Sequence, residues 1–298
     1  MVLIHFKHDK FNDKIFIGDY MKMVNLDKII NKDNLIPNFK GSHTIYNFKM
    51  DNDTYYFKEV PNRELVMEMI SKTIAFLLGI LYLKESIAIL NDKYGLLNKS
   101  YLKDDDKSYN LHNLMQNYFY ENNDDELLDY RKLASLNNLE DIWFALEDRY
   151  EDKNIVKNLM DGITNIFMFD LLVGESDRTL RNIEIIESYN TVTLAPLYDT
   201  SSILADKSTA LGVDEDDYLK SDLDKLDKFI ENSDTAYKEK FYSYLNTLDS
   251  IGIEKIIEET ERENDFIIDN NLKNEIITKF NSRINMFKEH EKRVSIFK

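Results

Sequence analysis

The sequence contains no cysteine, and only eight glycines and three prolines occur among its 298 residues. The absence of cysteine excludes disulfide bonds and metal sites built from thiolates. Glycine and proline punctuate secondary structure, so their scarcity makes each one informative. With 43% hydrophobic and 12% aromatic residues, the chain has the composition of a globular protein with one large core or two smaller ones.

Long apolar runs are missing as well. The longest candidate covers residues 74–83, whereas a helix needs about 20 apolar residues to cross a bilayer. Residues 1–14 carry charges throughout and lack the continuous apolar stretch of a cleavable secretory signal. We therefore expect no association with membranes and a cytoplasmic location.

Basic residues are outnumbered, with 38 Lys and Arg against 55 Asp and Glu and a formal net charge of −17. Nucleic-acid binding requires clustered Lys and Arg facing the phosphates, so we expect no direct nucleic-acid binding. Anionic membrane surfaces are disfavoured for the same reason. A nucleotide pocket is still compatible with this charge, because a magnesium ion and one or two cationic side chains can make the local field positive.

The first third of the chain carries strand signals. The turn residues Asp51, Asn52 and Asp53 separate two runs of β-branched and aromatic residues, which predicts a hairpin. A helix is predicted from Asn62 to Gly79, because apolar residues recur there at helical spacing and glycine favours a helix end. The predicted strands cover residues 44–50, 54–60, 86–90 and 94–98.

The rest of the chain is mainly helical in pattern. The acidic segment 103–107 is interpreted as a surface connection. We predict an α+β protein with an N-terminal lobe, residues 1–102, of sheet plus one main helix, and a mainly helical C-terminal lobe, residues 103–298. A cleft between two unequal lobes is a favoured place for a ligand. The predicted helices cover residues 111–120, 137–150, 154–172, 251–262 and 271–292.

A polar loop and a β-hairpin, together residues 174–202, carry the candidate chemistry. Asp177 lies in the loop and precedes Asn182 by five positions, and the exit of the hairpin leads to Asp199. Because a hairpin brings its two ends together, we expect Asn182 and Asp199 to lie a few ångströms apart. The predicted hairpin strands are residues 183–187 and 191–195.

These residue types are the ones that phosphoryl transfer requires. One carboxylate orients or deprotonates the attacking hydroxyl, while a second carboxylate and an amide oxygen hold magnesium against the phosphates. Taken singly, each of Asp177, Asn182 and Asp199 would more often be a helix cap, a turn residue or a surface acid. Their combined spacing around one hairpin favours a phosphotransferase site.

The segments VGESDRTLRN, residues 173–182, and LAPLYDTSS, residues 194–202, resemble the catalytic segment of the HipA-like bacterial serine/threonine kinases. The motif of that family reads roughly G-N-x-D-R-H-x-x-N, followed by a strand and an L-x-P-L-Y-D block. Residues 94–102 also resemble the stretch that leads into the inter-lobe hinge of these kinases. The resemblance spans residues 57–199 and implies a two-lobed, protein-kinase-like fold, closest in layout to the short CtkA-type members.

The resemblance also implies roles for the loop and hairpin residues. Asp177 would be the catalytic base, Asn182 and Asp199 would bind magnesium, and ATP would be the phosphate donor. The chain departs from the motif at Thr179, where the family has His, and at Glu175-Ser176, where it has Asn-Thr. These departures leave the metal ligands in place.

Arg178 is retained from the family motif. It could steady the loop or a phosphate. The alternative is a surface pair with a neighbouring acid, which would contribute little to stability.

A lysine for the phosphates is expected from the N-terminal sheet. Lys58 lies in a strand with Tyr56, and alternation places both on one face, so we predict that Lys58 points inward. As in kinases, it would take part in catalysis, contact ATP and pair with an acid of the next helix. Glu68 is the predicted partner, and Glu64, one turn earlier on the same face, is the alternative.

The phosphate-binding turn has the weakest pattern. Gly41 and Ser42 precede the strand that begins at Thr44. A single glycine can turn backbone N–H groups toward a phosphate, and a plain β-turn has the same signature. By analogy with the loop serine of the resembled family, Ser42 and Thr44 are candidate autophosphorylation positions.

The combined prediction is an ATP- and magnesium-dependent serine/threonine protein kinase. Two alternatives stay open: a small-molecule or lipid kinase, and a nucleotide-binding pseudokinase that acts as a binding module. The acidic charge disfavours lipid, and the intact set of candidate site residues disfavours a pseudokinase. The implied partners are a protein substrate and an antitoxin-like regulator encoded nearby.

Overall fold

The computed structural model describes residues 5–6, 23–30, 35–38, 43–50, 52–121, 139–205 and 218–296. The strands are β1 (His5–Phe6), β2 (Val24–Asn25), β3 (Ile36–Asn38), β4 (Ile45–Met50), β5 (Asp53–Glu59), β6 (Glu85–Leu90), β7 (Lys93–Lys99), β8 (Lys107–Asn110), β9 (Glu184–Ser188), β10 (Thr191–Leu194) and β11 (Phe266–Ile267).

A six-stranded sheet forms the N-terminal part of the protein, in the order β2-β6-β7-β5-β4-β3. Strand β2 is parallel to β6, and the other neighbours in this sheet are antiparallel.

One helix follows the first strands of this sheet, and a helical region makes up the C-terminal part, so the predicted α+β, two-lobed arrangement is confirmed. The lobe boundary at 102/103 stays a prediction. No helix of the described residues is both long and apolar enough to span a bilayer. The helices are α1 (Asn62–Leu77), α2 (Leu111–Glu121), α3 (Leu139–Arg149), α4 (Lys153–Val173), α5 (Tyr218–Asn232), α6 (Thr235–Ile251), α7 (Ile253–Asn264) and α8 (Asn270–Ile296).

Strands β4 and β5 form the predicted hairpin. Met50 pairs with Asp53, and Asn52 has a φ of 69° in the turn between them. Asparagine tolerates this left-handed conformation better than most residues. The hairpin sets the register of β5, which also pairs with β7 along its other edge.

The two faces of β5 have different surroundings. Tyr55 and Phe57 are buried in a small apolar cluster with residues of β2, β4, β6 and β7. Tyr56 and Lys58 point to the opposite face and are only partly buried. Lys58 therefore faces the side of the sheet that carries α1 and the helical region.

Helix α1 is buried along most of its length and joins the sheet to the helices. Leu65, Ile70 and Ile74 are each fully buried, and they belong to one large apolar core that also includes residues of α4, α7 and α8. Each fully buried side chain of this size contributes about 1.5–3 kcal/mol. A shared core therefore holds the two parts of the molecule together around the segment that follows α4.

The C-terminal region differs from the predicted pattern in two places. Helices α5 and α6 were not predicted, and Gly252, with a φ of 78°, separates α6 from α7. The predicted helix 251–262 therefore begins two residues too early, because Ile251 is the last residue of α6. In addition, part of the predicted connection 103–107 continues into β8, which pairs with β9 in a three-stranded sheet, β10-β9-β8.

Candidate active site

The loop that carries the candidate catalytic residues starts at the C-terminal end of α4. Gly174 ends this helix in the left-handed conformation, with a φ of 66°, and its N–H donates to the carbonyl of Asp170. A Cβ at position 174 would lie 3.1 Å from Nη1 of Arg283. The backbone conformation favours glycine here, and a Cβ would force the guanidinium of Arg283 to shift.

Arg283 of α8 supports the same helix end. Its Nε donates to the carbonyl of Leu171 at 2.7 Å, and its Nη2 pairs with Asp222 of α5 at 2.5 Å. The Arg283 side chain is almost fully buried. A carbonyl at the end of α4 that has no partner within the helix is thereby satisfied.

Arg178 joins three segments of the site. Its Nε and Nη2 donate to the two carboxylate oxygens of Asp170 on α4, at 3.0 and 3.3 Å, and its Nη1 donates to the carbonyl of Tyr198 at 2.9 Å. Arg178 and Asp170 are both fully buried. Of the two interpretations of Arg178, the surface pair is wrong, because this ion pair lies inside the protein and fixes the loop to the residue preceding Asp199.

The hairpin brings Asn182 and Asp199 together, as predicted. Nδ2 of Asn182 donates to Oδ2 of Asp199 at 3.4 Å and to the backbone carbonyl of Asp177 at 3.5 Å. Asn182 is held in a short 3-10 turn, Leu180–Asn182, whose first N–H groups are capped by Thr179. The side chain of Asp177 is exposed at the mouth of this cluster.

Lys58 reaches the same cluster from the N-terminal sheet. Its Nζ donates to Oδ1 of Asp199 at 2.5 Å, and both side chains are partly buried. The prediction that Lys58 points inward is confirmed. Asp199 itself has a φ of 56°, a left-handed conformation that aspartate adopts more readily than most residues other than glycine. The contacts of Asp199 with Lys58 and Asn182 hold its carboxylate in this position.

The predicted pair of Lys58 with Glu68 is wrong in the structure. Glu68 is 1% exposed, and its two carboxylate oxygens accept from the N–H of Thr200 at 2.8 Å and from its hydroxyl at 2.9 Å. Both oxygens are thus used by Thr200, while Asp199 offers Lys58 a closer carboxylate. Glu68 still contributes to the site, because it connects α1 to the residue that follows Asp199.

Buried charges behind Glu68 complete this connection. Nζ of Lys72 lies 3.9 Å from Glu68 and forms a closer ion pair with Glu85 of β6. Burial lowers the pKa of Lys72 to about 8, and the nearby Glu68 opposes this shift. Glu64, the alternative partner of Lys58, pairs instead with His43, and 3.0 Å separate Oε2 of Glu64 from Nε2 of His43.

These surroundings predict different costs for removing the two glutamates. Glu68→Ala leaves two buried donors of Thr200 without an acceptor, and each costs roughly 1–3 kcal/mol. Glu64→Ala removes a partly exposed pair, which costs at most about 1 kcal/mol. In urea unfolding, we expect Glu68→Ala to lose more stability than Glu64→Ala. In a phosphate-transfer assay, we expect Glu68→Ala to lose more turnover than Glu64→Ala. Equal losses for the two variants would contradict the bond between Glu68 and Thr200.

The remaining predicted phosphate contacts belong to the segment just before β4, which the structure describes only from residue 43 onward. Gly41 and Ser42 lie outside the described residues, so their cofactor-binding role stays a prediction. Thr44 is described, and its carbonyl accepts from the N–H of Glu59 at 3.0 Å, at the start of the β4–β5 pairing. Thr44, the residue before β4, therefore lies beside the end of β5, next to Lys58.

Residues of the connection between β7 and β8 are bonded to the β9–β10 hairpin. Tyr101 donates to Glu184 at 2.6 Å, and Ser188 donates to Asp106 at 2.7 Å. The resemblance of residues 94–102 to a hinge segment drew attention to this region but not to its bonds. The hairpin is consequently attached to both parts of the molecule.

Sequence reasoning missed Asp170, Thr200 and the burial of Glu175. A signal for Asp170 exists, because it is the one charged residue within the apolar run 166–173. A lone acid in a buried helix segment needs a buried partner. For Thr200 no comparable signal exists, since its partner lies 132 positions away in the sequence.

The donor set at the hairpin fits magnesium. Within the described ranges, no group of three or more His, Cys, Asp or Glu side chains is placed to hold a metal. Magnesium commonly binds through one or two carboxylates together with substrate phosphates, rather than in a cage made entirely of protein ligands. Asp199 and Asn182 could supply such a partial set of oxygen ligands.

Three solved structures give the comparison with known proteins. The proinflammatory kinase CtkA of Helicobacter pylori matches with a TM-score of 0.58 and 17% identity, over 84% of this chain and 95% of that chain. HipA of Shewanella oneidensis, solved with HipB and its operator DNA, has a TM-score of 0.41 and 12% identity, over 86% of this chain and 64% of that chain. The ethanolamine kinase of Plasmodium vivax has a TM-score of 0.27 and 13% identity, over 86% and 84%. No protein-family model and no curated protein sequence matches this chain.

At this level of identity, the similarity to CtkA concerns the fold and not the reaction. It covers 84% of this chain, which is more than either the sheet lobe or the helical region alone. The kinase-like fold that the resemblance of residues 173–182 and 194–202 implied is therefore the fold that the structure has. This chain has the two-lobed fold of the CtkA kinase, as its resemblance to the HipA-like kinases predicted.

Proposed function

We propose that the protein is an ATP- and magnesium-dependent phosphotransferase that phosphorylates serine or threonine in a protein. The observation that carries this proposal is the continuous set of contacts from Lys58 to Asp199 and from Asp199 to Asn182, beside the exposed Asp177. A cation, two oxygen donors for a metal and a separate carboxylate are the groups that phosphoryl transfer needs. They come from both lobes and meet in one place.

Each side chain has a role that follows from its chemistry. Asp199 and Asn182 would hold magnesium, and Lys58 would bind phosphate oxygens. Asp177 would accept a hydrogen bond from the acceptor hydroxyl, orient it, and take its proton as the bond to phosphorus forms. Bound ATP would supply the γ-phosphoryl group and leave as ADP when the bond between the γ-phosphorus and the bridging oxygen breaks, and magnesium would neutralise part of the phosphate charge. In this assignment, Lys58, Asn182 and Asp199 bind the nucleotide, while Asp177 acts on the acceptor.

A protein acceptor is favoured by the exposed position of Asp177 and by the resemblance of its segment to serine/threonine kinases. The lipid alternative conflicts with the net charge of −17, because an acidic surface is repelled by anionic membranes. A pseudokinase would not need the complete set of four side chains. A small-molecule acceptor is the alternative that the experiment below must separate.

The test is incubation of the purified protein with γ-labelled ATP, magnesium and a cell lysate, followed by separation of protein, lipid and small-molecule fractions. With the kinases of the lysate inactivated by heat beforehand, we expect label in protein, on phosphoserine or phosphothreonine, and no label when Lys58→Ala replaces the native chain. Label confined to small molecules or lipids would overturn the proposed acceptor while keeping the phosphotransferase. Absence of label in every fraction would contradict the function itself.

The proposal extends to partners and location. HipA of Shewanella oneidensis was solved with HipB and operator DNA, but the likeness of this chain to HipA is too low to transfer either partner. We propose an antitoxin-like regulator from the sequence resemblance alone, and cytoplasmic residence. The net charge of −17 argues that this chain itself does not bind nucleic acid directly. Co-purification with the product of a neighbouring gene would test the regulator.

A further inference from the structure

Three buried side chains behind the catalytic loop have an unbalanced charge. Glu175, Asp170 and Arg178 are each 0% exposed, so two acids share one cation without access to water. The guanidinium of Arg178 uses its bonds on Asp170 and on the carbonyl of Tyr198. The charge of Arg178 is near enough to lower the pKa of Glu175. In the part of the chain that the structure describes, however, Glu175 forms no hydrogen bond with the guanidinium.

The two oxygens of Glu175 have different surroundings. Oε1 accepts from the backbone N–H of Asp177 at 2.7 Å, so this oxygen already has a donor. Oε2 is buried and has no hydrogen-bond partner within the part of the chain that the structure describes. An ionised carboxylate with one bare oxygen in a dry site is costly, whereas a proton on Oε2 removes the charge.

Further charged groups near Glu175 favour the same protonation state. The charged groups that act most strongly on it are the acids Asp170 of α4 and Glu68 of α1 and the cation Arg178, which pairs with Asp170. Burial is the largest cause that raises the pKa of Glu175, to about 8, against the lowering effect of Arg178. With Glu175 neutral, the remaining buried pair of Asp170 and Arg178 is balanced.

We propose that Glu175 is a neutral carboxylic acid in the working enzyme and a positioning residue for Asp177, and that its ionisation switches phosphate transfer off. The switching half rests on the proposed phosphotransferase function. Neutral Glu175 holds the N–H of Asp177 and leaves Arg178 to Asp170 and Tyr198. Ionised Glu175 would compete for the guanidinium, so that the carbonyl of Tyr198, next to Asp199, loses its donor.

Thermal unfolding tests the protonation state without using activity. Glu175 binds its proton more tightly in the folded protein, with a pKa of about 8 against an ordinary value of 4.5. Between these values the unfolded chain ionises first, so the native stability falls as pH rises. Glu175→Gln imitates the neutral acid and lacks this loss. We expect the variant to melt above the native protein, with a gap that widens from about pH 5 to about pH 8 and then stays constant.

A matched control removes a glutamate that has no such surroundings. Glu258 of α7 is exposed, and Glu258→Gln should give a melting curve parallel to the native one at every pH. An ionised Glu175 paired with Arg178 predicts the opposite sign, since Glu175→Gln would then melt below the native protein. That outcome, or parallel curves for the native and Glu175→Gln proteins, overturns the proposal.

The activity profile tests the switch. Rates of label transfer from magnesium-ATP should be similar for the native and Glu175→Gln proteins near pH 6.5, where a group with a pKa of about 8 is still almost entirely protonated. Above about pH 8 the native rate should fall by up to tenfold per pH unit relative to the variant. Coincident profiles overturn the switch. If neither protein transfers phosphate at any pH, the proposed function fails, and the melting curves alone decide the state of Glu175.

Discussion

Asp199→Asn is expected to remove most of the thermal stabilisation that ATP and magnesium give to the folded protein. Asp199 is the carboxylate that contacts both Lys58 and Asn182, so its charge is central to holding a metal and phosphates. A ligand at a hundredfold excess over its Kd stabilises the native state by about 2.7 kcal/mol. We expect a rise of several degrees in the native melting temperature and almost none in the variant.

The choice of asparagine avoids a backbone effect. Asp199 has a φ of 56°, and alanine in this left-handed conformation adds strain of its own, whereas asparagine tolerates it. Asp92 provides a matched control, because it is exposed in the β6–β7 turn and has a φ of 61°. Asp92→Asn should respond to magnesium-ATP as the native protein does. Equal rises in melting temperature for Asp199→Asn and the native protein would contradict the metal assignment.

Asp177→Asn is expected to keep magnesium-ATP affinity nearly unchanged and to lower phosphate transfer by about 10²–10⁴-fold. The loop around Asp177 is fixed by contacts of its backbone, since its N–H donates to Glu175 and its carbonyl accepts from Asn182. The substitution keeps these backbone bonds and replaces the carboxylate that would accept the proton with an amide. Interactions that matter in the transition state affect turnover without affecting ground-state binding.

The two readouts for Asp177→Asn have to be measured on one preparation. Binding is followed by titration calorimetry with magnesium-ATP, and transfer by incorporation of γ-label into the protein fraction. A pseudokinase predicts no transfer by either protein. Transfer that survives unchanged in the variant would contradict the role of Asp177, the strongest single assignment in the site.

Elements with a local signal were predictable from the sequence. Helix α1 and helix α4 carry apolar residues at helical spacing and end next to Gly79 and Gly174. The catalytic hairpin has alternating residues on both sides of a polar turn. The closeness of Asn182 and Asp199 followed directly, because it depends only on the pairing of two adjacent strands.

Three elements were missed, and only one of them lacks a local signal. Strand β8 has only four residues, and it becomes a strand by pairing with β9, more than 70 positions later in the sequence. Helix α5 has more charged than apolar residues, but Leu223, Leu226 and Ile230 recur at helical spacing, so it could have been found. Helix α6 could have been found as well, because Phe241, Leu245 and Leu248 are buried at helical spacing.

The choice between chemically equivalent partners was also beyond the sequence. Spacing brings Lys58 and Glu68 to the same side of the N-terminal part, but it does not show that Thr200 offers Glu68 two donors. Arg178 was ambiguous for the same reason: the lone acid Asp170 in the apolar run 166–173 signals a buried partner, but it does not identify Arg178 as that partner. Each partner is set by tertiary packing between segments that are distant in the chain.

The most direct test of the central claim is a comparison of ATP labelled at the γ-phosphate with ATP labelled at the α-phosphate. A phosphotransferase site with magnesium held by Asp199 and Asn182 predicts transfer of the γ-label to protein in the presence of magnesium. The same claim predicts no transfer of the α-label, and no transfer of either label when magnesium is chelated or when Lys58→Ala replaces the native chain. Transfer of the α-label, or γ-label transfer that persists in Lys58→Ala, would contradict it.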